Sequence, residues 1–473
     1  MDRQRRLRGK ILTVGASLLA AGLLAACSSS SNSSSSSSSS SPAAAGSTNN
    51  ATSSSTSNSS SGAVTVSLLE NQQIRAQALQ KLIPQFEAAM AAKGQHITVK
   101  LVQDIVPDNN YQTLLTEDYN AGTAPDVADF GITWLPDFAA AGYLLNLEPY
   151  LKQWSGWSSF YPSVVSQSQS SDGSMYALVH EASTQQIFYR ADILKKDGIS
   201  TAQPQTWNDL ITRLQQIKAK TGTSPLVVPA GTDWASPEQG MYNVLLGTSS
   251  QLYDSKTGKW DVSSAGLTYT FNLLATLTKD GLIPTQDLLN PNPWEPTKYV
   301  DFPKGTMPVA FQGTWGWSYD WGPQGTAPIP DLTTKVQTWD FPAETGAPFA
   351  DASDGHVWAV SKTAKDPQAA MELIEWLTSG PALAQQLVAV GAASPRSGMD
   401  NVAPYSSNPE LLQAEHGFAT AKAINPETNQ DKVDQAFETA EQGILEGRDT
   451  GAQAAATFAQ QATVLLGSSN VES

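Results

Sequence analysis

The chain has 473 residues, enough for two lobes or domains, and 40 % of them are apolar, enough for a large core. Its 28 basic and 44 acidic residues leave a net charge of −16, which argues against a nucleic-acid partner, because that binding needs a basic face. A single cysteine excludes an internal disulfide and any cysteine-built metal site.

In chain order, "MDRQRRLRGK" carries five basic residues and "ILTVGASLLAAGLLAA" adds 16 apolar or small ones. A basic segment followed by an apolar run too short for a comfortable membrane span reads as a secretory signal peptide over residues 1–26. The ending Leu24-Ala25-Ala26-Cys27 resembles the bacterial lipobox. That resemblance implies cleavage before Cys27, diacylglycerol on its sulfur and stable membrane attachment through the added acyl chains. Residues 27–61 follow as a Ser-rich tether: 21 of the 34 residues from 28 to 61 are serine, a composition that buries no core and spans roughly 30 Å as a coil.

The folded body is expected from residue 62. "VTVSLL" (64–69) predicts a strand and "ENQQ" (70–73) a polar loop. Ile74, Ala78, Leu79, Leu82, Phe86 and Met90 then recur at helical spacing, with Pro84 expected to kink or end the helix. "HITVKLV" (96–102) alternates as a strand, "YQTLLTEDYNAG" reads as a helix ending at Gly122, and "APDVADF" (124–130) is a third strand. This alternation predicts a mostly parallel sheet. "MYALVHEA" (175–182) and "QQIFYR" (185–190) read as two short β runs. "TWNDLITRLQQIKAK" (206–220) is a helix with a capping box, Thr206 paired with Asp209. Further strands are expected at 224–230, 306–313 and 354–361. A helix follows at 365–380, with Asp366 as N-cap and Pro367 at its first position. Residues 406–467 read as helical.

Searches for catalytic chemistry fail. His96, His180, His356 and His416 have no metal-ligand spacing, and "HEAST" (180–184) lacks the second histidine of H-E-x-x-H. There is no G-x-S-x-G, G-x-G-x-x-G or P-loop motif. Carboxylates are plentiful, but none is marked as a glycosidase pair. The sequence therefore predicts no enzyme, no cofactor and no metal, and any ATPase or membrane pore it serves is another chain.

Four segments in order carry a family resemblance: "AGTAPDVADF…FAAAGYLLNLEPYL" (121–151), "DGSMYALVHEASTQQIFYRADILKKDGISTAQPQTWNDL" (172–210), "DFPKGTMPVAFQGTWGWS" (301–318) and "DGHVWAVSKTAKDPQAAMELIEWLTS" (354–379). They resemble family 1 extracellular solute-binding proteins, the maltose-binding-protein-like components of ABC importers. Two departures are Tyr189-Arg190 where the family has Tyr-Asn, and Val179 where it often has proline. The resemblance implies an α/β fold of two lobes with a ligand cleft between them. The first lobe would comprise 62–178 with 357–405, the second 182–352 with 406–473. It implies a monomer that closes around its ligand at a hinge, and a permease that reads the closed form.

A sugar presents apolar faces and a rim of hydroxyls, so its site needs aromatic plates and side chains that both donate and accept. In "GTWGWSYDWG" (313–322), Gly313 and Gly316 would let the backbone present Trp315 and Trp317 on one face, and the resemblance implies a stacking role for Trp315. Glu70 and Asn71 follow the first strand and Asp129 ends the third, at the strand ends where open α/β sheets bind ligands. Glu181, Trp234, Asp354 and Arg396 complete the candidate set, with helix capping, turn formation and surface pairing as the competing roles. The function expected is capture of a mono- or oligosaccharide by a lipid-anchored protein on the extracytoplasmic face of a cell membrane, with delivery to an ABC permease. The alternatives are a polyamine or other small cation on the same fold, or a secreted glycan-active enzyme.

Overall fold

Strand β1 (Val64–Glu70) is followed by helix α1 (Gln73–Ala92) and a parallel neighbour, β2 (Ile97–Gln103). The structure, a computed structural model, describes residues 63–472 apart from 171–172, 232–235, 291 and 419–420. The expected signal peptide, Cys27, the tether and Trp234 lie outside the described residues. Helix α1 runs unbroken through Pro84, so the expected kink or boundary does not occur. Leu79, Leu82, Ile83, Phe86 and Met90 are buried on both sides of the proline, and that packing offsets the missing N–H.

Helix α2 (Asp108–Ala121) ends at Gly122, whose φ of 69° is the left-handed conformation that favours glycine. Strand β3 (Val127–Gly131) then pairs with the other edge of β1. The two β runs expected at 175–190 are one 14-residue strand, β4 (Ala177–Arg190). Helix α3 (Trp207–Thr221) starts on the predicted capping box of Thr206 and Asp209. Beyond it come β5 (Leu226–Val227), β6 (Val309–Gly313), β7 (Val336–Trp339) and β8 (Asp351–Val360). Helix α4 (Pro367–Leu377) has the Asp366 carboxylate accepting the Ala369 N–H, and α5 (Gly380–Val390), α6 (Pro409–Gly417), α7 (Gln430–Leu445) and α8 (Gly451–Leu466) follow.

The large sheet has the order β2-β1-β3-β8-β4-β6-β5, with β7 also on β4. It is mixed rather than mostly parallel: of its seven pairings, β1–β2, β1–β3 and β5–β6 are parallel and the other four are antiparallel. The antiparallel pairings come from β4 and β8. Strand β4 pairs with β8 up to Gln185 and with β6 and β7 beyond it, so the same strand serves both ends of the sheet.

Alternation along the strands splits the core by face. Leu68, Trp358 and Val360 join Leu79, Phe86 and Ile374 on one face of the first lobe, while Leu69, Phe130, Val357 and Ala359 join Tyr111 and Trp134 on the other. In the second lobe Ile187 and Phe311 pack with Leu214, Phe271, Phe437 and Phe458, and Phe188 and Ala310 pack with Phe302 and Trp321. Leu411, Ala414 and Phe418 belong to first-lobe clusters. The chain therefore returns to the second core later than the expected residue 405, because the apolar side of α6 faces the first lobe.

Glu441 on α7 is fully buried in the second lobe; its Oε2 accepts the Gly231 N–H at 3.0 Å and the Ser236 hydroxyl at 3.4 Å. Burial lifts its carboxyl well above the usual range, against the pull of those two donors. A raised acid stabilises the fold fully below the ordinary carboxylate range, and that contribution is lost as pH rises toward the folded-state pKa. The expected outcome is that Glu441→Gln raises the melting temperature at pH 8 by more than at pH 5, flattening the pH dependence of thermal unfolding. An equal shift at both pH values would contradict it.

Candidate functional site

Helix α1 begins three residues past the end of β1, and this short connection sets Arg75 behind the strand ends. Its guanidinium is 1 % exposed and holds three carboxylates from three strands. Nη1 donates to Glu70 Oε1 at 3.0 Å and to Asp129 Oδ2 at 2.7 Å, and Nη2 donates to Glu181 Oε1 at 2.6 Å. His180 meets Asp129 Oδ1 at 2.7 Å and stacks on Trp358 at 4.3 Å. His356 Nδ1 meets the two Asp129 oxygens at 3.2 and 3.1 Å.

Strand alternation would send the consecutive residues His180 and Glu181 to opposite faces. A register shift resolves this. His356 pairs with Glu181 and the next residue, Val357, pairs with Val179, which leaves His180 unopposed. Such a bulge re-aims side chains, and here both His180 and Glu181 reach the same charged cluster. Gly355 sits against this turn; a Cβ there would come within 2.6 Å of the Glu181 carbonyl oxygen.

The charges balance. Burial, the largest single influence, would raise Asp129 and Glu181, but the Arg75 guanidinium together with His356 and His180 outweighs it and holds Asp129 well below, and Glu181 below, the usual carboxylate range. Burial, reinforced by Asp129, pushes Glu70 up to about 8 against the pull of Arg75. Burial keeps His180 below its ordinary value; for His356, burial is the largest single influence, but the charge and hydrogen bond of Asp129 together with Glu181 overcome it and Arg75 and raise the group to about 9. At neutral pH two cations, Arg75 and His356, therefore face two anions, Asp129 and Glu181.

In front of this cluster lies a cavity of about 240 Å³. The first lobe and the crossing strands give it Gln72, Glu181, Ser183, Gly355 and His356, with Val390 and Ala392 beyond. The second lobe gives it Gln239, Trp294, Lys298, Tyr299, Trp315, Tyr319 and Asp320. The Lys298 ammonium lies 4.8 Å from the Trp294 ring centroid, 5.6 Å from that of Tyr299 and 5.9 Å from that of Trp315. It pairs with Asp320 Oδ2 at 2.9 Å, and Asp320 also accepts from Gln312 Nε2 at 2.5 Å and the Tyr299 hydroxyl at 3.1 Å.

Of the residues singled out from sequence, Glu181 and Trp315 line this cavity. Glu70 and Asp129 stand behind it in the charged cluster, and Asn71 is buried outside its lining. Trp315 and Trp317 do not share a face, because Thr314–Trp317 is a 3₁₀ turn rather than extended strand. The Trp315 ring lies over Gly313, where a Cβ would meet it at 1.8 Å. Trp317 packs on Phe188 at 4.9 Å instead. Arg396 is remote from the cavity lining: its guanidinium sits over Trp154 and Phe160 and donates to the Thr378 carbonyl at 2.9 Å. Asp354 lies on β8 beside Gly355, and its side chain is outside the described residues. Sequence reasoning missed Arg75, Lys298 and Asp320. For Arg75 a signal existed: it lies four residues before Leu79 on the apolar stripe of α1, where a charge needs buried partners.

Removing the central cation leaves buried carboxylates unpaired. Arg75→Met is expected to lower the unfolding free energy by about 3–5 kcal/mol, and Arg75→Lys to recover little of it, because a single ammonium cannot match the guanidinium fork. Denaturant unfolding checks this, and full recovery by lysine would contradict it.

Residues 81–413 match the family model described as bacterial extracellular solute-binding protein. A binding protein of Brucella abortus (strain 2308) is 31 % identical over 144 residues, 29 % of this chain and 33 % of that protein, so the alignment spans about a third of the relative's length. Among solved structures, the GacH receptor of Streptomyces glaucescens, described unliganded and with acarbose, superposes with a TM-score of 0.72 at 19 % identity, over 86 % of this chain and 99 % of that one. A solute-binding protein of an Agrobacterium radiobacter ABC transporter, in complex with ribitol, gives 0.66 at 17 % identity over 85 % and 98 %. These likenesses establish the two-lobe fold. Among the described residues no helix is long and apolar enough to cross a membrane. With more than half its length matched by the family model and its cavity set between two α/β lobes, the chain belongs to the bacterial extracellular solute-binding protein family.

Proposed function

We propose that this protein captures a carbohydrate or related polyol between its lobes and delivers it to an ABC importer permease from a lipid anchor at Cys27, without a catalytic step. The observation that carries the ligand class is the cavity wall. Trp294, Tyr299 and Trp315 offer ring faces for C–H surfaces, and Glu181, Ser183, Gln72 and Gln239 offer acceptors and donors for hydroxyls. The described proteins of the same fold that hold acarbose and ribitol support the reading. A polyamine fits less well: Lys298 and His356 bring positive charge to the wall, and the nearby carboxylates Glu181 and Asp320 already hold cations.

Tryptophan fluorescence and thermal shift against mono- and oligosaccharides, polyols, polyamines and amino acids test this directly. A sugar or polyol is expected to change emission and raise the melting temperature by mass action, without turnover. A response to polyamines alone would overturn it, and product release from a glycan would establish an enzyme.

Two variants separate the aromatic roles. Trp315→Ala is expected to weaken sugar binding about two- to tenfold, the value of a lost ring contact of about 0.5–1.5 kcal/mol, with little loss of stability. Trp317→Ala is expected to cost stability, because its ring packs on Phe188, and to leave affinity within about twofold. The reverse pattern in calorimetric titration and thermal unfolding would exchange the two assignments. Cys27→Ala is expected to move the protein from the membrane fraction to the soluble one; unchanged partition would overturn the anchor.

A further inference from the structure

We propose that the cavity is a one-ring site in which Glu181 and His356 read two neighbouring hydroxyls of a single sugar, Glu181 as acceptor and His356 as donor. This rests on the carbohydrate reading above and adds to it a ligand size and a polar code.

Size comes first. At about 240 Å³ the cavity is below the roughly 300–1,000 Å³ of sites for drug-sized ligands. The lobes meet beside Trp315. The Ser318 hydroxyl donates to the Val388 carbonyl at 3.2 Å, and a Cβ on Gly391 would stand 3.2 Å from the Trp315 Cα. That contact brings the lobes together beside the indole, on the side of the cavity lined by Val390 and Ala392.

The polar code follows from register. Glu181 on β4 and His356 on β8 are direct cross-strand partners, so their side chains stand as neighbours on one face. Both line the cavity. Glu181 Oε1 is taken by Arg75, and Oε2 has no hydrogen-bond partner among the described residues. His356 turns Nδ1 to Asp129, and its Nε2 lies 3.5 Å from the side-chain amide of Gln72, another residue of the cavity wall, which presents its oxygen when the ring is an imidazolium. With Nδ1–H committed to a carboxylate, Nε2 accepts in the neutral ring and donates in the imidazolium.

The groups around the His356 imidazole are Asp129 on β3, His180 and Glu181 on β4, Arg75 on α1 and Glu70 on β1. The carboxylates prevail over Arg75 and burial, and His356 is raised to about 9. At neutral pH the floor therefore offers a charged acceptor beside a charged donor. One sugar hydroxyl donates to Glu181 and its neighbour accepts from His356 Nε2–H, two charge-assisted bonds of the stronger class. As pH rises through the His356 value the proton leaves, and the donor is lost with it.

The test has a ligand-free arm and a ligand arm. Nitrogen-15 NMR of the purified protein without ligand should show the His356 ring as an imidazolium at pH 7.5; a neutral ring overturns the proposal and leaves the carbohydrate reading standing. Calorimetric titration then uses D-glucose, D-galactose, D-mannose, D-xylose and maltotriose at pH 7.5 and pH 10. One of the monosaccharides should bind at pH 7.5 and weaken at least about tenfold at pH 10. His356→Gln should weaken it about tenfold at pH 7.5 and flatten the pH dependence, which separates His356 from other groups that titrate in that range. If His356→Gln does not fold, the wild-type pH profile and the deoxy analogues of the bound sugar serve instead. Loss of either of two adjacent hydroxyls should then cost a similar factor. A pH-independent affinity, or binding of maltotriose with no monosaccharide, overturns the proposal alone. No binding by any sugar, with or without a response to spermidine, overturns both readings.

Discussion

The buried guanidinium of Arg75 is the constraint on which the site depends. A cation withdrawn from water is tolerable only with anions at hydrogen-bond distance, and Arg75 gathers Glu70, Asp129 and Glu181 from β1, β3 and β4. This fixes three strands relative to one helix terminus. It also sets the electrostatics that the ligand meets: Glu181 stays ionised, Asp129 stays ionised and keeps His356 protonated, and Glu70 can hold its proton without upsetting the balance. The cavity sees only the front of this arrangement, a carboxylate and an imidazole, each backed by a partner that fixes its orientation.

The second lobe builds its wall by a different rule. Trp315 is held by absence of bulk, its ring laid over Gly313. Lys298 is held between three ring faces and Asp320, with its ammonium toward the cavity. Asp320 in turn is satisfied by Lys298, Gln312 and Tyr299. The neighbouring Trp321 is wholly buried, stacked on Phe302 at 4.0 Å with its indole N–H on the Lys298 carbonyl. Tryptophans a few residues apart thus serve opposite ends, one lining the cavity and the others anchoring the loop that carries it.

The alternation of strands and helices, the capping residues Thr206 and Asp366, and the ordered segments of the family were all legible in the sequence, because local spacing and capping chemistry specify them. The mixed sheet was not, since the antiparallel pairings of β4 and β8 depend on strands far apart in the chain. The same holds for the site. Glu181 sits in the segment that carries the family resemblance and Trp315 in a Gly-rich turn, places a linear reading inspects. Arg75 is on a helix, and the Lys298–Asp320 pair joins residues 22 positions apart in irregular structure; only the folded chain shows that they meet. Trp317 was misjudged because alternation was assumed where the backbone coils into a 3₁₀ turn.

The unopposed His180 on β4 bears on how such a receptor can diversify. Because the odd residue sits between Val179 and Glu181, the floor of the cavity depends on a count of residues as much as on their identity. Deleting His180 would close the bulge and keep Glu181 opposite His356, but it would strip Asp129 Oδ1 of its 2.7 Å imidazole partner inside the buried cluster. Point substitution at Ser183, Gln239 or Trp315 asks nothing of the register. A lineage of these receptors can therefore explore new ligands by exchanging wall side chains, while a change of length in this segment costs the buried cluster one of its members.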